Sequence, residues 1–162
     1  MLTRGFLLSL SVLAACTRGV PFQAENRYSV DAAYVDLRGT VQYDSASLIV
    51  QIDEGVAGLK HIGGRVDSVQ VGLATGDFFS PTGAWHIIQQ GESFRIHAGP
   101  DSETVLSPTT LRVPLPTAEV RDSWLVFVVH GIMYGPRGIE IPATNYAAVD
   151  TTVTRKLLRN VH

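Results

Sequence analysis

From Tyr28 onward, apolar and polar residues alternate in short runs. In RVDSVQVGLA, Val69, Val71 and Leu73 point one way while Gln70 and Gly72 point the other, the period of a strand with one face on a core. SFRIHA repeats the pattern, with Phe94 and Ile96 opposed to Arg95 and His97, and LRVPL repeats it again. Pro114 in that last run has no N–H to give to a ladder, so it predicts an edge strand. SVDAAYVDL and TVQYDSASLIVQI add strand-length pieces rich in β-branched and aromatic residues, with Arg38-Gly39 and Asp44-Ser45 as expected turns.

WLVFVVHG breaks the alternation, because Trp124 to Val129 is apolar at every position. So short a run is a poor buried helix and predicts a central strand covered on both faces. GIMYGPRGIEIPATNY reads as a turn-rich return through Gly135-Pro136-Arg137-Gly138, and NYAAVDTTVT as a closing strand. EGVAGLKHIGG, residues 54 to 64, holds four glycines. Its apolar residues Val56, Leu59 and Ile62 are spaced for a helical turn, but each glycine costs about 1 kcal/mol in a helix, so a long loop is expected. TRKLLRNVH is open between a short basic helix and a frayed strand. The whole pattern predicts an antiparallel β-sandwich of about seven to nine strands over residues 28 to 154, immunoglobulin-like in broad architecture, with a basic tail at 155 to 162.

Composition agrees: 45% hydrophobic and 17% charged residues, with 15 Gly and 8 Pro in 162, exclude a disordered chain and favour many short elements joined by turns. The length suits one domain whose core needs no metal or disulfide. Basic residues are scattered singly except for Arg155, Lys156 and Arg159. Nucleic acid is therefore not an expected partner, since it calls for a concentrated basic stripe.

The first residues follow a different rule. Arg4 precedes an apolar stretch, Phe6 to Ala15, relieved only by Ser9 and Ser11 and ending at Cys16, the one cysteine of the chain. The stretch is too short to cross a bilayer, which takes about 20 apolar residues, and it has the layout of a secretory signal. Leu13-Ala14-Ala15-Cys16 resembles the lipobox of bacterial lipoproteins. That resemblance, confined to residues 1 to 16, implies cleavage before Cys16 and a thioether-linked diacylglycerol on its sulfur. Thr17 stands where Asp marks inner-membrane retention in enteric bacteria, which favours the outer membrane. Loss of residues 1 to 15 leaves twelve basic against fifteen acidic residues. Residues 16 to 27 are expected to be the lipidated N-terminus and a tether.

Chemistry-bearing residues are sparse. His86, His97 and His130 fall in predicted strands but form no HxH or HxxxH pair, so they are weak metal candidates. No serine lies in GxSxG, the adjacent Asp53-Glu54 pair sits in a Gly-rich stretch, and IGGR lacks the lysine of a phosphate loop. No catalytic residue and no cofactor are assigned. Aromatic residues in connections are the better binding candidates: Phe78, Phe79 and Trp85 in GDFFSPTGAWH, and Tyr134 and Arg137 in MYGPRG. Against this, Trp85 and one of the phenylalanines are suited to plugging the end of a sandwich. The expected function is a lipid-anchored envelope module that binds or assembles with a protein or glycan. The alternative is a metal-binding envelope protein or a small hydrolase on the same sandwich.

Overall fold

A computed structural model describes residues 19–25, 33–59, 64–78, 83–96, 104–116 and 123–158 of the chain. Nine strands are formed there: β1 (Val20–Glu25), β2 (Ala33–Asp44), β3 (Ser47–Leu59), β4 (Gly64–Gly76), β5 (Trp85–Arg95), β6 (Thr104–Val105), β7 (Thr109–Pro114), β8 (Trp124–Tyr134) and β9 (Glu140–Val149). A 3-10 turn at Pro136–Gly138 joins β8 to β9, and α1 (Thr151–Leu158) follows β9.

The strands form one antiparallel sheet in the order β5-β4-β8-β9-β1-β2-β3, with β6 and β7 both on the outer edge of β3. Four register shifts bend it. β3 carries an extra residue at Asp53 opposite Arg38/Gly39, β4 has one at Asp67, and β5 has two. Each bulge adds local twist, and the sheet curls part-way into a barrel, with its edge strands β5 and β7 brought together at one place. They meet at Gly91, where an added Cβ would stand 2.8 Å from Val113 Cγ2 and 3.0 Å from Arg112 O. There the Arg112 N–H donates to Glu92 Oε2 at 3.0 Å, and Gln70 Nε2 donates to the Gly91 carbonyl at 3.1 Å.

Alternation decides which side chains the curl encloses. Leu125, Phe127 and Val129 of β8 join Val69, Val71 and Leu73 of β4, Val35, Leu37 and Val41 of β2, and Leu48, Val50 and Ile52 of β3 in one buried cluster. Phe22 of β1 stacks on Phe127 with centroids 5.7 Å apart. α1 closes one end of this cluster by inserting Val153, with Leu157 packed beside it. Asp150 caps the helix, its Oδ1 accepting the Thr152 N–H at 2.8 Å, as N-cap aspartates do. The buried Thr154 hydroxyl donates to the Ser123 carbonyl at 2.7 Å, tying α1 to the start of β8. Thr154→Val keeps the shape and removes that donor; a loss of about 0.5–1.5 kcal/mol is expected in urea unfolding, and an unchanged midpoint would show the bond contributes nothing net.

Several sequence expectations change. Residues 20–25, expected in the tether, form β1 and pair with β2 along its whole length. Val20, Phe22 and Ala24 alternate with Pro21, Gln23 and Glu25, a strand pattern that the mixed composition of the segment hides. Residues 54–59, expected in a loop, continue β3, because Gly55 and Gly58 lie where Leu37 and Tyr34 of β2 crowd the ladder. Arg38-Gly39 continues β2 opposite the β3 bulge rather than turning, whereas Asp44-Ser45 does turn, with Ser45 at φ 54°. The closing strand stops at Val149, and the C-terminal helix begins at Thr151 rather than in the tail. β8 is central, between β4 and β9, and β7 is an edge strand, as the sequence predicts.

Candidate functional site

The outer face of the sheet holds a second apolar cluster. On β8, Trp124, Val126 and Val128 point away from the core that Leu125, Phe127 and Val129 enter. Gly72 and Ala74 of β4 and Ala148 of β9 flank them in register, and these small residues leave room for rings. Phe78 packs 5.0 Å from Trp124 and 5.0 Å from Trp85, and Trp85 lies 5.6 Å from Trp124. Trp85 also meets Tyr146 edge to face at 4.8 Å, the geometry that ring quadrupoles favour. Trp124 and Phe78 are buried, while Trp85 and Tyr146 are half-buried at the rim. The Asp77 N–H donates to the Ala84 carbonyl at 3.1 Å, closing the neck of the connection that carries Phe78.

Farther along β8 the same face turns polar. His130 is exposed, with its Nδ1 3.4 Å from Thr144 Oγ1. Beyond it, Arg65 donates through Nε to Asp67 Oδ1 at 2.9 Å, and through Nη1 to the Tyr134 hydroxyl at 3.2 Å and to Glu140 Oε1 at 3.4 Å. The bonds to the Tyr134 hydroxyl, then to Asp67 and Glu140, stabilise the guanidinium and raise its pKa above the ordinary arginine value. The β8–β9 hairpin continues past this network. Its tip carries Arg137 at φ 60°, and Ile139 and Ile141 are exposed beside it.

On the opposite wall, the β3 bulge opens a cleft of about 340 Å³ edged by Asp36, Arg38, Asp53, Glu54, Val56 and Leu106. A second of about 750 Å³ runs from Arg38 to Val153, where β1 and β9 part after only two paired residues. Among the described residues, no three His, Cys, Asp or Glu side chains gather as metal ligands do.

The sequence candidates therefore separate. Phe78 and Trp85 come together, but against the outside of the sheet rather than at the end of a sandwich. Tyr134 and Arg137 sit at the far end of β8, roughly 33 Å from Trp124 at about 3.3 Å per residue. Tyr134 is held by Arg65, and Arg137 is exposed at the hairpin tip. His86 and His130 do not converge: their β4 partners Thr75 and Ser68 are seven residues apart, roughly 23 Å along a strand. Cys16, Phe79 and His97 lie outside the described residues. Sequence reasoning does not find Tyr146, Arg65 or Arg38 as site residues. Only Tyr146 has a local signal, since an all-apolar β8 demands cover on both faces and its partner strand must supply some of it.

The described residues thus form a mostly antiparallel β structure with a buried core and an aromatic cluster on the outer face of its sheet. No protein-family model, curated protein or solved structure matches the chain.

Proposed function

We propose that this protein is a lipid-anchored component of a bacterial cell envelope whose β domain is a binding or assembly module, contacting a protein or glycan through the outer face of β4, β8 and β9. The observation that carries the binding reading is the half-buried Trp85–Tyr146 pair at the edge of a cluster outside the main core. Trp and Tyr bring large apolar area and a polar atom at low entropy cost, the combination used where one side must meet a partner. The anchor is supported by the Leu13-Ala14-Ala15-Cys16 run and its upstream apolar stretch; two or three acyl chains hold a protein where one does not. Thr17 after the cysteine favours the outer membrane. We read the curl itself as a sandwich of two layers, β5-β4-β8-β9 over β1-β2-β3-β7, because one buried cluster draws side chains from both halves.

The test is crosslinking of the membrane-bound protein in cells, with wild type set beside Tyr146→Ala and Trp85→Ala. The expected result is loss of the wild-type crosslinked adduct in both variants, with the purified domains still folded by circular dichroism. Adduct yields equal to wild type would sink the assignment of this face. In the same cells, Cys16→Ala is expected to move the protein from the membrane to the soluble fraction.

A further inference from the structure

We infer that the anchored domain stands on the bilayer with its α1 end against the phospholipid head groups and its β8–β9 hairpin pointing away. This rests on lipidation at Cys16 and adds which end of the domain meets the membrane. In the antiparallel order, one end of the sheet collects the start of β1, the β2–β3 turn, the end of β4, the starts of β5 and β8, and the end of β9 with α1. The other end carries the β8–β9 hairpin. Gly19 opens the described chain at the α1 end, next to Thr40 and Gln42 of β2. Cys16 is three residues earlier, and three residues of chain span at most about 11 Å. The hairpin is a strand length away, roughly 33 Å from Trp124 to Tyr134, and so short a link keeps it from being the end tied to the lipid.

The chemistry of the α1 end fits that position. α1 turns Val153 into the core and leaves Arg155 and Lys156 exposed. Tyr43 is 38% exposed on the β2–β3 hairpin at the same end. Tyr and Trp partition to the head-group layer, and basic side chains to its phosphates. Of the carboxylates there, Asp44 is engaged by Arg112 at 3.4 Å, Asp150 caps α1, Asp77 is exposed beyond β4, and Asp53 and Glu54 share with Arg38 and Val153 the cleft beside α1.

A single thiol tests this. Lipidation consumes the sulfur of Cys16, the one native cysteine, so Lys156→Cys and Arg137→Cys each add a unique site for a bimane label. The lipidated variants are placed in phosphatidylethanolamine and phosphatidylglycerol vesicles containing a lipid with a nitroxide on its head group. The expected result is quenching several-fold stronger at position 156 than at position 137. Equal quenching, or stronger quenching at 137, overturns the orientation while anchoring stands. Uptake of label by the membrane-extracted wild type would show a free Cys16 thiol and overturn the lipid reading together with this inference.

Discussion

Gly39→Ala is expected to open the β2–β3 ladder and to lower stability at or beyond the upper end of the ~1–3 kcal/mol that overpacking costs. A Cβ built on Gly39 lies 1.8 Å from the Gln51 carbonyl oxygen and 2.8 Å from its carbon. The obstacle is backbone, which cannot rotate aside as a flexible side chain does. β3 passes this close because Asp53 is the extra residue of the bulge, so the ladder steps from Arg38–Glu54 to Gly39–Ile52. Relief would mean moving Val50 and Ile52, both fully buried, or undoing the bulge that shapes the Arg38 cleft. Urea unfolding and amide exchange at Gln51 to Glu54 check it; a wild-type midpoint with unchanged protection there would refute it.

Phe127→Ala should cost about 3–5 kcal/mol, the range for truncating a buried aromatic side chain. That is a large share of the ~5–15 kcal/mol that holds a typical domain together. Phe127 is fully buried at the middle of β8, and its ring stacks on Phe22 of β1. β1 pairs with β9 through only Ala24 and Glu25, so this ring contact helps to hold β1 on the β8–β9 side of the sheet. The midpoint of denaturant unfolding should fall with little change in slope. A loss below about 1 kcal/mol would mean the neighbours close the cavity, contrary to the close packing of such interiors.

How much of this was legible follows from the range of each interaction. Strand alternation is local, set by the two-residue repeat of the extended backbone. It was therefore readable in RVDSVQVGLA and LRVPL, and the double-sided burial of WLVFVVHG was readable from its unbroken apolar run. VPFQAE carries the same alternation, but Gly19 and Pro21 and the polar residues around it give the segment the look of a tether. EGVAGL fails for the opposite reason: glycine argues for a loop on local grounds, whereas here close approach of Leu37 and Tyr34 from the neighbouring strand favours it within β3.

The candidate site was half legible. Aromatic residues in GDFFSPTGAWH stood out, and Phe78 and Trp85 do come together. Their partners Trp124 and Tyr146 could not be named, because they meet through pairings between segments far apart in sequence. The same holds for Arg65, whose bonds to Tyr134 and Glu140 depend on β4, β8 and β9 lying side by side.

The sequence by itself determined a β-rich chain, the faces of its clearest strands and the central place of Trp124–Val129. Only the tertiary structure decided the strand order, the bulges that curl the sheet, the outer position of the aromatic cluster and the gathering of Gly19 and α1 at one end. The physical reason is that alternation records whether a side chain is buried, while strand partners and bulges are settled by contacts across the sheet that no local pattern encodes.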